Sequence, residues 1–392
     1  MMKKKLIFVS QALWIGGIET ALVNLLNQLD YDRYDITCLI LRDYRNLADR
    51  LPAQCRLLVA DRDRQITFAE PYAYRRMFHL MEKPQTTSKL RIAEWKALQA
   101  ALRGIEMDRY AAYIKRQLRG EHFDTCIIYS DRCAEVAVKA VKANRFLMYY
   151  HHGAMRREFH DEYGYRRSEK VIAVSEALAQ RLREYRPQYA EKIIAINNLV
   201  DVDGVRRNSL EPPEITFPKN AFNLVSCGRI AKEKGMDLAA EACAKLIEDG
   251  MTDLQWWIVG GGPAEGELRE QVRGLGIEEH FHLLGMQKNP YPYICQADLY
   301  VQPSRVESFG LTIMEAMVLD KPVLATKTFG AREIVEAGAG IKLCEISAEA
   351  IFCAVNKLSR KEISGLKESK KNESMISSWN ATRISKLNAL LS

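Results

Sequence analysis

Short apolar runs recur along this chain, separated by longer amphipathic stretches, and that alternation limits the possible folds more than any other feature. In the first half the runs are Leu6–Val9, Ile36–Leu41, Thr125–Tyr129, Phe146–Tyr150, Val171–Val174 and Ile193–Ile196. In the second half they are Phe222–Cys227, Gln255–Val259, His280–Leu284, Asp298–Val301, Pro322–Ala325 and Ile341–Leu343. Runs this short and this apolar read as strands buried on both faces, and strand–helix alternation implies parallel sheets covered by helices. Between the two sets, from Asp201-Val-Asp-Gly204 through Glu211-Pro-Pro213 to Pro218, the chain turns polar and proline-rich, which marks a connector. The expected organisation is therefore α/β, with one domain over 1–199 and a second over 200–372. A terminal helix should follow, with Trp379, Ile384 and Leu387 available for packing.

At 392 residues the chain is too long for one ordinary core and suits two domains of comparable size. Hydrophobic residues make up 47% and charged residues 27%, which excludes disordered and fibrous classes. Nine cysteines, an odd number without a Cys-x-x-Cys pair, argue against a disulfide framework or a structural zinc site and imply a reducing, cytoplasmic setting. Met1-Met-Lys-Lys-Lys5 is basic, but Trp14, Gly16, Gly17 and Glu19 interrupt the apolar run that follows, so Leu6 to Ser10 reads as a first strand rather than a secretion signal. No window reaches eighteen uninterrupted apolar residues. Such a chain can lie on a membrane but does not cross one.

The chemistry gathers in the second half. Glu307-Ser-Phe-Gly-Leu-Thr-Ile-Met-Glu315 places one carboxylate in a loop and another inside the helix expected over Leu311–Leu319, with Gly310 as a hinge between them. The amino end of that helix would present N–H groups to an anion. Upstream, Gly228-Arg229-Ile-Ala-Lys232-Glu-Lys234-Gly235 forms a basic turn after a strand. Arg229 offers a planar fork of donors for phosphate oxygens and Lys234 a mobile point charge. Two cations, a helix end and two carboxylates suit a sugar joined to a diphosphate.

Three further stretches stay ambiguous when read by residue type alone. Gly16-Gly17-Ile-Glu19 suits either a tight turn or a close approach of backbone to a ligand. Gly260-Gly261-Gly262 follows a strand, but the third glycine of a dinucleotide fingerprint would fall on Glu265, so that motif fails. Tyr149-Tyr150-His151-His152-Gly153 ends a strand with histidines that could be packing or functional groups.

Taken in order with Ala173-Val174-Ser175-Glu176, Gly260-Gly-Gly-Pro263, Leu284-Gly285, Gly330-Ala-Arg-Glu333 and Ser378-Trp379, these motifs resemble the family 4 nucleotide-sugar glycosyltransferases along nearly the whole chain. The resemblance implies a GT-B fold: two Rossmann-like domains facing a cleft, the first binding the acceptor, the second the nucleotide sugar, and 373–392 crossing back onto the first. It assigns catalysis to His152, Arg229, Lys234 and Glu307. His152 is preferred over His151 because the family's histidine is usually followed by a small or polar residue such as Gly153. Donor binding falls to Gly16, Gly17, Arg229, Lys234, Met286, Glu307, Phe309, Gly310, Leu311, Thr312 and Glu315. In that scheme the backbone of Gly310, Leu311 and Thr312 meets the distal phosphate, Glu307 the sugar, Glu315 the ribose, and the backbone near Gly285 and Met286 the base. The family is configuration-retaining and needs no metal or other cofactor. Asp61-Arg-Asp63 and Asp201-Val-Asp203 match a metal motif by letter only and read as solvated loops.

The implied function is transfer of a hexose or N-acetylhexosamine from a nucleoside-diphosphate sugar, with UDP expected, to a lipid-linked or glycan acceptor in cell-surface polysaccharide synthesis. Residues 75–119 carry eleven Lys/Arg against four Asp/Glu, an excess equal to the whole chain's net charge of +7. With Met77, Phe78, Leu80, Trp95, Leu98 and Leu102 interleaved, the segment suits either basic helices on an anionic membrane or helices packed on the domain. A second cluster, Arg156-Arg157 through Arg166-Arg167 with Tyr163 and Tyr165, could meet a lipid-linked diphosphate. No nucleic-acid-binding signature accompanies either cluster. A glycosidase would also use paired acids but leaves Arg229 and Lys234 without a task. An epimerase or phosphorylase of the same fold, and a non-catalytic partner subunit, remain as alternatives.

Overall fold

The computed structural model describes residues 3–60, 104–105, 107–153, 155, 162–358 and 369–392. Within them two sheets form. The first comprises β1 (Lys4–Ser10), β2 (Tyr34–Ile40), β3 (Arg56–Val59), β4 (His122–Ile128), β5 (Lys142–Tyr150), β6 (Lys170–Ala173) and β7 (Ile193–Ala195), in the order β3-β2-β1-β4-β5-β6-β7. The second comprises β8 (Phe222–Cys227), β9 (Leu254–Val259), β10 (Phe281–Leu283), β11 (Leu299–Gln302), β12 (Val323–Thr326) and β13 (Lys342–Cys344), in the order β10-β9-β8-β11-β12-β13. Every pairing in the second sheet is parallel, as are β1–β2, β1–β4, β2–β3 and β4–β5 in the first.

Each apolar run named above falls on a strand, and the four-residue β3 is an addition that the sequence did not announce. In both sheets the order reverses between the first strand and the fourth. Open parallel sheets bind ligands beyond the carboxyl ends of the strands at such a reversal. For the second sheet that place lies between the loops leaving β8 and β11.

The chain divides into two compact units, the second of which holds Ile172–Ser392 together with Ile15–Leu29 and His151–Met155. In it, Leu224, Trp256, Ile258, Leu299, Val301 and Leu324 on the sheet pack against Ala239, Ala240, Cys243 and Leu246 of the helix Met236–Glu248. Burying each large side chain of this set contributes about 1.5–3 kcal/mol. Trp256 donates its indole N–H to Ser226 Oγ at 3.0 Å, and Ser226 donates onward to the Val301 carbonyl at 2.6 Å, so the polar atoms in this core are satisfied.

The polar connector holds more structure than its composition suggests. Asp201, read above as a solvated loop residue, accepts from Gly204 N at 3.0 Å and caps the helix Val202–Ser209. Short polar helices lack the apolar stripe that would reveal them in a sequence. The terminal helix spans Ser369–Leu391, and Asn380 binds Val200 both ways, through its Nδ2 to the carbonyl at 2.7 Å and its Oδ1 to the amide at 3.3 Å.

Asp61 and Asp63, Arg156 and Arg157, and most of the basic segment (75–103 and 106) lie outside the described residues. The end of that segment packs inward: Met107, Tyr110, Ala111, Ile114 and Leu118 are buried, and Tyr110 donates its hydroxyl to the Leu41 carbonyl at 2.6 Å. No helix among the described residues is long and apolar enough to cross a membrane. All nine cysteines are free thiols, seven of them buried. Burial pushes the Cys227 and Cys243 thiols up to about 12 and Cys344 up to about 11.

Candidate active site

The loop leaving β8 carries Arg229 and a short 3-10 turn, Lys232–Lys234, closed by Gly235 at φ 67°. A Cβ built on Gly235 would lie 2.0 Å from the Pro303 carbonyl oxygen in the loop leaving β11. Only glycine permits both that backbone conformation and that approach, so it seats the two loops against each other. Arg305 and Val306 add backbone bonds to the Glu233 carbonyl at 2.9 and 3.1 Å, and Arg305 forks onto Asp237 with two contacts of 2.6 Å.

This seating brings Lys234 to Glu307 across 73 positions of sequence, Nζ to Oε1 at 2.7 Å. The cation nearest in sequence, Arg305, is taken by Asp237, and the fold supplies Lys234 instead. Glu307 is buried, and the same Oε1 accepts from Ser304 Oγ at 2.8 Å and Gln302 Nε2 at 3.2 Å. Gln302 in turn accepts from Tyr300 at 2.7 Å and from Thr312 Oγ1 at 3.0 Å. One hydrogen-bonded chain thus runs from Lys234 to the first turn of the helix Leu311–Val318, whose N-cap is Gly310 at φ 88°. No side chain caps that helix end.

Phe309 is buried between these features, with the Arg383 guanidinium 5.2 Å from its ring centroid. Glu315 is 3% exposed and accepts from the Tyr291 hydroxyl at 3.0 Å. Met286 is half exposed after β10, where Gly260 and Gly285 form an isolated bridge, and it lies beside Gly261, whose carbonyl accepts from Ile230 N in the Arg229 loop at 3.0 Å. The glycines of that region pack backbone on backbone: a Cβ at Gly260 would sit 2.0 Å from the Gly228 oxygen, and one at Gly262 2.3 Å from the Ile230 oxygen.

Arg229 is largely exposed and paired with Glu233. Its charge also reaches Glu19. Burial raises the Glu19 carboxyl to about 7, with its own backbone amide and Arg229 opposing the rise. Gly16 and Gly17 begin the helix Gly17–Asn27; a Cβ at Gly16 would touch only the Glu19 carboxylate, and one at Gly17 would touch nothing.

His151, His152 and Gly153 leave β5 and lie against the Glu307 loop. Ser308 Oγ donates to the His151 carbonyl at 2.7 Å, and a Cβ at Gly153 would fall 2.7 Å from Val306 Cγ1. Arg181 holds the Gly153 carbonyl at 3.0 Å. His151 is buried and His152 partly so.

Sequence reasoning did not single out Gln302, Ser304, Tyr291 or Arg383. A buried polar residue at the end of an apolar strand marks the first two; nothing local marks the last. Glu333 and Glu176, flagged in separate motifs, meet directly, the Glu333 carboxylate accepting from Glu176 N at 3.1 Å and from Asn197 Nδ2 at 2.6 Å. Among the described residues no group of three or more His, Cys, Asp or Glu side chains is placed to hold a metal ion.

Known proteins are similar to this chain in sequence and in fold. The N-acetyl-α-D-glucosaminyl L-malate synthase of Bacillus anthracis is 28% identical over 187 residues, 47% of this chain and 48% of that protein. The putative colanic acid biosynthesis glycosyltransferase WcaL of Escherichia coli K12 is 27% identical over 181 residues, 44% of this chain and 43% of that protein. The chain thus matches less than half the length of these relatives. The crystal structure of Anabaena HepE in complex with UDP and glucose superposes with a TM-score of 0.69 at 18% identity, covering 98% of this chain and 99% of that one, and shares the GT-B fold. The family model Glycosyltransferase Family 4 matches residues 15–203, and that of Glycosyl transferases group 1 matches residues 209–377. Tiled in this way from residue 15 to residue 377, the chain belongs to the family 4, group 1 glycosyltransferases.

Proposed function

We propose that the protein moves a hexose or N-acetylhexosamine from a UDP-sugar to a membrane-associated glycan precursor, with retention of configuration and without a metal ion. The observation that carries this reading is the Lys234–Glu307 contact of 2.7 Å beside an uncapped helix end. Departure of a nucleoside diphosphate requires stabilisation of the charge that grows on its phosphates. Lys234, Arg229 and the N–H groups of Leu311 and Thr312 are suited to that work. Glu307, once its partner turns to phosphate, accepts hydrogen bonds from sugar hydroxyls, and the buried Glu315 takes those of the ribose. His152 approaches the reacting sugar from the loop after β5. The names of the relatives, which concern glucosaminyl transfer and colanic acid synthesis, and the UDP and glucose held by HepE support the donor class and the polysaccharide setting.

Thermal unfolding with UDP, GDP and ADP tests the donor. UDP should raise the melting temperature by mass action, and the gain should vanish in Lys234→Met. No shift with any of the three nucleotides would overturn the reading.

A further inference from the structure

Two exposed rings stand at the carboxyl ends of β1 and β2. Trp14 and Tyr44 are 41% and 46% exposed, yet they stack on each other with centroids 4.7 Å apart and planes 30° apart. Their support is rigid. Leu13 N donates to the Tyr44 carbonyl at 2.8 Å, Leu47 N to the Leu13 carbonyl at 3.0 Å, and Arg42 N to the Gln11 carbonyl at 2.8 Å, which ties the two loops together. Leu13 and Leu47 are buried beneath them. Around the rings the surface is polar: Asn46 is exposed, and Asp43 and Arg45 form a forked pair.

We propose that the Trp14–Tyr44 pair is a sugar-binding platform that holds one ring of the acceptor glycan. A pyranose has an apolar C–H face and a rim of hydroxyls. An exposed aromatic face bordered by planar donors and acceptors matches both, and one fixed in advance by backbone bonds loses little entropy on binding. The pair is too small and its rim too polar for insertion into a bilayer, and the Asp43–Arg45 pair beside it is neutral. The beginning of the loop after β1 fits the same role, since Trp14 precedes Gly16 by two residues. That the sugar is an acceptor rests on the transferase reading; that a sugar stacks here does not.

The test is ligand-observed saturation-transfer NMR on the full chain, with methyl glucoside, methyl galactoside and methyl N-acetylglucosaminide as probes, run with and without UDP. The expected result is saturation of the ring C–H protons of at least one glycoside, reduced about fivefold by Trp14→Leu or Tyr44→Leu and retained by Trp14→Phe. The leucine variants should melt with the parent protein, because the replaced rings are exposed. Absence of signal from all three glycosides, or a signal that the leucine variants leave unchanged, overturns the platform. Co-sedimentation with anionic vesicles that falls in the leucine variants while the glycoside signal stays would assign the rings to a lipid surface instead. If UDP fails to stabilise the chain, the donor reading falls, and the glycoside measurement still stands or fails by itself.

Discussion

The Gly16–Gly17 pair and the Gly260–Gly262 triplet look alike in sequence, each a glycine cluster just after a strand, and they are opposite in structure. At Gly260 and Gly262 a side chain would enter backbone atoms at 2.0 and 2.3 Å, whereas at Gly17 it would meet nothing and at Gly16 only the movable end of Glu19. Gly260 and Gly262 are glycine because protein backbone fills the space. At the pair no backbone fills the space, and a ligand approaching there belongs to the proposed donor site.

The hardest test of that contrast is Gly260→Ala, where the clash is with backbone and φ is 151°. It should cost about 3 kcal/mol or more of unfolding free energy. A urea titration showing a loss below roughly 1 kcal/mol, within the range of ordinary surface changes, would dissolve the contrast. Next in size, Lys234→Met should lower transfer about 10²–10³-fold, as expected when a donor to a developing charge is removed. Because it also strips the buried Glu307 of its cation, it should cost about 1–3 kcal/mol in stability, and steady-state rates beside a denaturant curve separate the two effects.

Gly17→Ala should behave in the reverse manner to Gly260→Ala. At the first position of a helix it should leave stability unchanged or raise it by about 0.5–1 kcal/mol, while transfer falls at least about tenfold if ligand approaches there. Retained activity in that variant would remove the reason for calling the turn open. A last effect concerns Glu19 and is read as a pH slope. Its carboxyl is raised from 4.5 to about 7 in the fold, so between those values the native state holds a proton that the unfolded chain has lost. Stability therefore falls as pH rises through that window and levels above it. Glu19→Gln should flatten that slope, and denaturant curves on either side of the window would read it.

The sheets were legible in the sequence because strands buried on both faces are nearly continuous apolar runs. Among the described strands only Arg56–Val59 escaped, being four residues long and headed by an arginine. Arg229, Lys234, Glu307 and the helix end at Gly310 were read as a set because their types suit one chemistry, and the resemblance added Thr312; the structure links Lys234, Glu307 and Thr312 through Gln302. That wiring was not legible: nothing near Glu307 in the chain foretells Lys234, and nothing near Phe309 foretells Arg383. Such contacts depend on how two loops end at neighbouring strands, which is a property of the sheet order and not of any local window. The cap role of Asp201 was hidden for a different reason, because its helix has a polar surface and no stripe to read.

The seven buried thiols give the molecule internal reporters of opening. Cys38, Cys55, Cys126 and Cys133 belong to the first sheet and its loops, Cys227, Cys243 and Cys344 to the second sheet and its helices, and all seven are shielded from solvent. An alkylating reagent reacts with thiolate, so each of these sites is marked only after its surroundings part. Peptide mapping of a labelling time course would then time the loosening of each half of the chain without any added probe.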